Sequence, residues 1–243
     1  MRPMPWALVT GASGEIGQAI AFELAAQGVP LYLHYFRSPH KLEPILAFCQ
    51  ERGVPVIALH ADLRDTQAIT GLFEQMAIKP LFLVNNASVD HVGLVQDVNP
   101  ALFDELLTTN VRSTFFVTQT ALPWLIREQF GRIVNISSIW GITGASCEVL
   151  YSLTKGAIIS YTKALAKEVA RSGITVNAVA PGAVEGGMME KFTPYELQEI
   201  AEEIPAGRLG KPSEIASLVS YLLLGNSGYL TGQVISPNGG WHT

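Results

Sequence analysis

The 243-residue chain has little charge and a small excess of acidic side chains, which excludes one large class of partner. Only 15% of its residues are charged, and 16 Lys and Arg against 21 Asp and Glu give a formal net charge of −5. Proteins that bind nucleic acid usually present a basic stripe to the phosphates. We therefore expect neither DNA nor RNA as a partner or substrate.

Cysteines and long apolar runs are also scarce. The two cysteines, Cys49 and Cys147, make no metal-ligand spacing and are too few for a disulfide framework, so we expect free thiols, a reducing compartment and no metal. No uninterrupted apolar run approaches the roughly 18 residues of a membrane span. The glycine-rich segment 11–15 also breaks the first apolar stretch before it could act as a signal sequence. These shortages predict a cytoplasmic protein without a membrane partner.

Hydrophobic residues are abundant: they make up 48% of the chain and occur in short runs. Stretches of helical periodicity separate the runs, an alternation typical of βαβ units with a parallel sheet. Near-continuous apolar runs indicate strands buried on both faces. The candidate strands are 7–9, 31–33, 56–59, 81–84, 133–136, 174–176 and 234–236. We predict an α/β fold with a single Rossmann-type doubly wound domain over residues 1–243, a seven-stranded parallel sheet and helices on both faces.

Apolar side chains repeat every four residues in segments 100–122 and 150–171, which predicts helices whose buried faces pack on the sheet or on another subunit. The repeating residues are Phe103, Leu107, Val111 and Phe115 in the first segment and Tyr161, Leu165 and Val169 in the second. Segment 183–211 is the least regular, with glycines and prolines around a short polar helix. We expect it to be a substrate lid.

A glycine-rich turn, Gly11 to Gly17, lies between the first strand and an amphipathic helix. Such a turn lets backbone N–H groups and the positive helix end approach a pyrophosphate, although glycines also serve ordinary tight turns. Segment 34–38 follows the second strand and holds Arg37 where enzymes that use NAD usually have a carboxylate. A guanidinium suits a 2′-phosphate, so we expect NADP(H) to be preferred and NAD(H) to be the alternative. Otherwise Arg37 is a solvated loop residue.

Asp62 follows the third strand in the sequence Ala61-Asp62-Leu63. Its carboxylate is placed to accept a hydrogen bond from the adenine amino group, or to cap the helix that begins near Thr66.

A tyrosine and a lysine, Tyr151 and Lys155, lie four residues apart and hence one turn apart on one face of a helix. A phenol with a pKa of about 10 is a poor acid–base group at neutral pH, and a nearby ammonium lowers that pKa. The same spacing is frequent on ordinary helices. Ser138 favours the catalytic interpretation, because it follows the fifth strand at the sheet edge where doubly wound proteins bind ligands.

In order and spacing, the chain resembles the short-chain dehydrogenase/reductase family at Thr10–Gly17, Asn85–Ser88, Asn110, Ser138, Tyr151–Lys155, Asn177 and Pro181-Gly182. It is most similar to the 3-oxoacyl-acyl-carrier-protein reductases of fatty acid biosynthesis, notably in segments 135–138 and 204–210. The resemblance implies an NAD(P)-dependent oxidoreductase that forms a homotetramer. It implies cofactor contacts from Gly11, Ser13, Gly14, Glu15, Ile16, Gly17, Arg37, Asp62, Leu63, Asn86, Ala87, Ser88, Tyr151, Lys155, Pro181, Gly182 and Val184.

The resemblance also implies catalytic roles. Tyr151 would protonate the carbonyl oxygen, and Ser138 would orient that carbonyl. Lys155 would lower the pKa of Tyr151 and bind the nicotinamide ribose. Asn110 would hold a water of the proton relay.

The chain departs from the family pattern around the cofactor. Glu15 stands where glycine is usual and Gly14 where a basic residue is frequent, so the expected NADP preference rests mainly on Arg37. Ser88 replaces a usual glycine, and Gly186 replaces a threonine that usually meets the nicotinamide carboxamide. None of these changes removes a catalytic group.

The leading substrate is a small-molecule or carrier-protein-bound ketone, a 3-oxoacyl thioester above all. Carrier-protein reductases commonly have basic residues where this chain has Gln129, Phe130 and Ser172, although arginines lie close by. Segment 140–149 instead resembles a branch that reduces a 5-aminopentanone modification on a lysine of elongation factor P.

In that branch Glu148 would pair with the substrate ammonium, and otherwise it is a carboxylate at a helix start. The alternative of another class is a catalytically silent dinucleotide sensor. The complete set of Ser138, Tyr151 and Lys155 argues against silence.

Overall fold

The structure is a computed structural model that describes residues 4–243. Within them the apolar runs form one parallel sheet of seven strands, so the predicted fold class is confirmed. The strand ends differ from the predicted ones by up to three residues. The strands are β1 (Ala7–Val9), β2 (Leu31–Tyr35), β3 (Val56–His60), β4 (Phe82–Asn85), β5 (Gly131–Ile136), β6 (Ile174–Val179) and β7 (Val234–Ile235).

The strand order is β3-β2-β1-β4-β5-β6-β7, so the chain builds the sheet outward from β1 first to one side and then to the other. In the ladder Val9 pairs with Leu33 on one side and Val84 on the other. The loops that follow β1, β2 and β4 therefore leave the sheet at one edge. A crevice at such a switch point is where doubly wound sheets bind ligands.

Helices connect the strands on both faces of the sheet. They are α1 (Glu15–Ala26), α2 (Glu43–Arg52), α3 (Thr66–Glu74), α4 (Pro100–Leu106), α5 (Ser113–Glu128), α6 (Trp140–Thr143), α7 (Val149–Val169), α8 (Pro194–Glu203) and α9 (Pro212–Leu224). One apolar layer lies between the sheet and α1, α2 and α9, and the other lies between the sheet and α3, α5 and α7. Neighbouring residues Leu8 and Val9 are fully buried in opposite layers, as expected for a strand covered on both faces.

The two periodic segments form helices at the predicted places, as α4 and α5 joined by a π-helical segment (Leu107–Arg112), and as α7. Leu165 and Val169 are buried as predicted. Phe103 and Phe115 are 42% and 43% exposed, so they do not pack on the sheet, and their burial against another subunit stays a prediction. The α5 side chains that face the sheet are instead Val117, Ala121 and Leu125, which lie on a different face of the helix from Phe115.

The irregular segment 183–211 crosses the carboxyl edge of the sheet. Val184 bridges to Gly210 at its two ends, and between them lie a 3₁₀ turn, Gly187–Met189, and α8. Thr193 and Glu196 cap α8 reciprocally, which stabilises the start of this otherwise exposed helix.

Both cysteine thiols are free, Cys49 in the core and Cys147 partly exposed. Among the helices formed by residues 4–243, none combines the length and the apolar composition that a transmembrane span requires.

Candidate active site

A cavity of about 630 Å³ opens above the carboxyl ends of the central strands, within the size range of small-molecule sites. It brings together Ser138, Glu148, Tyr151 and Lys155 with the whole set of cofactor residues expected from the sequence. Asn110 is the exception, because it is buried outside the cavity wall.

The glycine-rich turn makes a close approach that only glycine permits. Gly11 has a φ of +63°, and a Cβ on it would lie 2.8 Å from Cα of Ala87. The helix that follows begins at Glu15 with no side chain capping its first turn. Free N–H groups and the positive end of α1 therefore meet the cavity at Gly14, Glu15 and Ile16, the arrangement that suits a dinucleotide diphosphate.

Asn86 and Ala87 are held to the turn by the hydroxyl of Thr10. Its Oγ1 accepts from the backbone N–H groups of Asn86 at 2.9 Å and Ala87 at 3.1 Å. The Asn86 amide donates to the carbonyls of Thr10 and Gly11, both at 3.0 Å. These bonds fix the loop after β4 against the loop after β1.

A buried histidine that the sequence did not single out, His34, secures the other side of the turn. The Gly11 N–H donates to Nδ1 at 3.1 Å, which places the ring proton on Nε2, and Nε2 donates to the carbonyl of Ala61 at 3.0 Å. Burial lowers the pKa of His34 from 6.5 to about 4. The ring is therefore neutral at pH 7 and joins the ends of β1, β2 and β3.

We predict that His34 makes stability fall in acid. The folded-state pKa lies below the unfolded one, so the contribution is complete above about pH 6.5 and is lost as the pH falls through about 4, a change of roughly 3 kcal/mol. The free energy of unfolding should be measured by urea titration between pH 7.5 and 4 for the parent and for His34→Gln, which cannot titrate. The variant should be less stable at pH 7 and show the shallower decline. Parallel declines would contradict this role.

At the end of the cavity near β2, where the adenosine is expected, Asp62 has a partner that the sequence did not reveal. Both carboxylate oxygens of Asp62 accept hydrogen bonds from the Arg64 guanidinium, at 2.7–3.1 Å. This bonding with Arg64 holds the pKa of Asp62 below its ordinary value. Asp65, and not Asp62, caps α3 through the N–H of Gln67. Asp62 lines the cavity, yet its carboxylate already has a partner, so the adenine contact stays a prediction.

The other end of the cavity holds three of the four residues expected to be catalytic, Ser138, Tyr151 and Lys155. Tyr151 and Lys155 lie one turn apart on α7, and the Lys155 Nζ is 5.4 Å from the centre of the tyrosine ring. Ser138 follows β5 and hydrogen bonds with the Tyr151 side chain, while its Oγ accepts from the N–H of Trp140 at 3.2 Å. Nζ of Lys155 donates to the carbonyl of Ile136 at 3.1 Å.

The expected lowering of the Tyr151 pKa is not found. Burial raises this pKa, the carboxylates of Glu148 and Asp90 raise it further, and the hydrogen bond with Ser138 lowers it. Burial also lowers the pKa of Lys155 to about 8. An ammonium in so dry a site is itself destabilised, so the desolvation of the phenol outweighs its effect. Tyr151 is thus held in the protonated form that an acid requires.

Asn110 has a structural task that the sequence did not reveal. Its side-chain oxygen accepts from the Val89 N–H at 2.9 Å, and its amide donates to the Val89 carbonyl at 2.8 Å and to Thr154 Oγ1 at 3.1 Å. It lies in the π-helical segment, a feature frequent at functional sites. The side chain therefore ties the β4 loop to α7, and the relay water stays a prediction.

The mouth of the cavity near Tyr151 is acidic. Glu148 occupies the position before α7 without capping it, and burial raises its pKa. Asp90 lines the same wall and pairs with Lys191 of the lid. Met188 of the lid lies 3.8 Å from the Tyr151 hydroxyl, and Trp140 and Trp241 stack edge to face at the cavity wall.

Comparisons with known proteins agree with this geometry. The family model described as Enoyl-(Acyl carrier protein) reductase matches residues 11–242. The chain is 48% identical over 238 residues to the uncharacterized oxidoreductase YmfI of Bacillus subtilis, covering 97% of this chain and 98% of that one. The chain belongs to the short-chain dehydrogenase/reductase family. Its members use NAD(P)(H), so the chain is an NAD(P)-dependent oxidoreductase.

Members of known reaction are also similar over the full length. The 3-oxoacyl-[acyl-carrier-protein] reductase FabG of Staphylococcus aureus is 34% identical over 245 residues, which is 100% of both chains. FabG of Aquifex aeolicus is 37% identical over 236 residues, 96% of this chain and 95% of that one. Among solved structures, one described as a gluconate dehydrogenase of Agrobacterium tumefaciens is 28% identical with a TM-score of 0.92, covering 98% of this chain and 95% of that chain.

Proposed function

We propose that the protein is an NADPH-dependent reductase of 3-oxoacyl thioesters or related ketones, with a role in fatty acid biosynthesis. The observation that carries this proposal is the meeting of Ser138, Tyr151 and Lys155 at one end of a cavity whose other end is a dinucleotide cradle. The similarity to two FabG reductases supports the 3-oxoacyl substrate. NADPH is favoured over NADH because Arg37, and no carboxylate, follows β2.

The residues divide the work of carbonyl reduction between them. When bound, the nicotinamide cofactor supplies the hydride. The Ser138 hydroxyl donates to the substrate carbonyl and orients it, and the protonated Tyr151 hydroxyl delivers the proton to the carbonyl oxygen. Lys155 keeps its proton below about pH 8 and so offers positive charge beside the phenolate that remains. Met188 and Trp140 exclude water from this end of the cavity.

Tyr151→Phe should reduce turnover of a model 3-oxoester with NADPH by about 10²–10⁴-fold, because it deletes the proton donor and keeps the ring. NADPH oxidation is followed by absorbance, and NADPH binding, measured by fluorescence, should survive. Tyr161→Phe, on the same helix and outside the cavity wall, is the matched control and should retain full activity. A Tyr151→Phe rate above about a tenth of the parental one would exclude Tyr151 as the acid. A parent that binds NADPH without turnover would favour the sensor alternative.

A second candidate substrate, the 5-aminopentanone adduct on elongation factor P, is favoured by the acidic mouth of the cavity. Glu148 and Asp90 line the same cavity as the Tyr151 hydroxyl and raise its pKa, so both can interact with a substrate bound there. Asp90 already pairs with Lys191 of the lid, so Glu148 is the carboxylate of this wall that is left for a substrate cation. A ketone that carries an ammonium suits this wall better than a neutral acyl chain does.

Glu148→Gln removes one charge at nearly constant shape and should lower kcat/KM for an amino-ketone by roughly one to two decades, while kcat/KM for a neutral 3-oxoester changes little. Glu190→Gln makes the same change on the lid outside the cavity wall and serves as the control. Equal losses on both substrates would mean that Glu148 only supports the start of α7. They would leave the 3-oxoacyl substrate as the favoured one.

We further propose that the protein forms a homotetramer through the exposed face of α4, α5 and α7. This face presents Phe103, Phe115 and Leu153, each 42–48% exposed, and a groove lined mainly by apolar residues. An exposed apolar patch of this kind marks an interaction surface. Phe115→Glu should yield particles smaller than a tetramer by light scattering. Tyr229→Glu, at a fully exposed position distant in sequence, should leave the mass unchanged. A parental monomer would refute the assembly.

A further inference from the structure

Three cationic side chains, Arg37, Lys41 and Arg64, line the adenosine end of the cavity. They differ in how strongly each cation is already paired with a carboxylate of the protein. Arg64 forms a bidentate pair with Asp62 at 2.7–3.1 Å, and the backbone N–H of Arg64 also donates to that carboxylate at 3.0 Å. Such a pair is close to electrically neutral toward a ligand. Arg64 is therefore not a free phosphate partner.

Lys41 is held at the same wall by the short 3₁₀ segment Pro39–Leu42, whose last residue, Leu42, is fully buried in the core. Its Nζ lies 3.8 Å from Oε1 of Glu15, too far for a hydrogen bond. The two side chains are 46% and 32% exposed, and an exposed pair at this distance is weak. Lys41 thus retains donors that a stronger acceptor can take.

The glycine-rich turn Gly11 to Gly17, the expected phosphate loop, supplies no cation of its own. Gly14 contributes no side chain at the start of α1, and Glu15 adds a carboxylate to the cavity wall there. A carboxylate beside a phosphate-bearing ligand is repulsive. Positive charge that the loop does not supply has to come from another element, and the β2–α2 connection is the one that holds Arg37, Ser38 and Lys41 in the wall.

We propose that Lys41 is the second cation of the subsite for the cofactor's 2′-phosphate, beside Arg37. The 2′-phosphate is favoured over the diphosphate because Lys41 belongs to the segment that follows β2, the strand whose end distinguishes the two dinucleotides. This inference rests on the proposed NADPH preference and is independent of the ketone that is reduced.

The test uses binding alone. Isothermal titration should compare the parent and Lys41→Met with NADPH and NADH, and with the fragments 2′,5′-ADP and 5′-AMP, which lack the nicotinamide. Loss of a charge-assisted contact should raise the Kd for NADPH and for 2′,5′-ADP about tenfold, and the Kd for NADH and 5′-AMP less than twofold. Arg37→Met should show the same selectivity. Lys163→Met, an exposed lysine of α7 outside the cavity wall, should change neither.

Two results would overturn the assignment. Equal weakening of NADPH and NADH would place Lys41 at the diphosphate, and no weakening of either would make it a surface lysine. A parent that binds both dinucleotides equally would instead refute the NADPH preference, and a 2′-phosphate subsite with it. A parent that prefers NADPH and shows the Lys41 effect, yet reduces no ketone, would refute the proposed reaction and leave the subsite intact.

Discussion

The hydroxyl of Thr10 joins the two central strands of the sheet, and the geometry of the cavity depends on that junction. It is buried, donates to the carbonyl of Val84 at 3.3 Å and accepts from the N–H groups of Asn86 and Ala87. A hydroxyl has one donor and two acceptor positions, so all three are used. Because β1 and β4 are neighbours at the switch point, this side chain sets how far apart their loops lie. The Gly11 turn can then approach Ala87 closely enough to exclude any side chain.

The cavity built on this junction is electrostatically divided. The end near β2 presents Arg37 and Lys41, with Glu15 3.8 Å from Lys41, whereas the end near α7 presents Glu148 and Asp90 around a buried phenol, with Lys155 beside it and Lys191 paired to Asp90. Burial and the carboxylates of Glu148 and Asp90 raise the pKa of Tyr151, so the free phenol is protonated at neutral pH.

The sheet could be predicted from the sequence because buried parallel strands are apolar on both faces, so that each run is visible without knowledge of its neighbours. The prediction stopped short where a polar residue belongs to a strand. Asn177 ended the sixth run, yet β6 continues to Val179, because the Asn177 side chain donates to the carbonyl of Leu230 and accepts from the N–H of Gln233. These partners are more than fifty residues away along the sequence, so no local sequence pattern predicts them.

At the candidate site, too, the structure differs from the prediction where a side chain bonds to a partner that local spacing does not indicate. Spacing placed Ser138, Tyr151 and Lys155 correctly at the sheet edge, because one turn of helix and the end of a strand are local geometry. It missed His34, whose two ring nitrogens bond to different loops, and it did not reveal that Arg64, two residues further along, pairs with Asp62. The sign of the Tyr151 shift was also missed, since burial is a property of the whole fold.

Two departures from the family pattern, Glu15 and Gly186, are coupled in space. Gly186 has a φ of +80°, and a Cβ on it would come within 2.9 Å of Cγ of Glu15. The larger residue in the phosphate loop therefore occupies the volume that a side chain on the lid would need. A threonine at position 186 would clash with Glu15, and it would also have to adopt a positive φ, which β-branched residues avoid. The lid can pass over the start of α1 only because the side chain lost at 186 makes room for the one gained at 15.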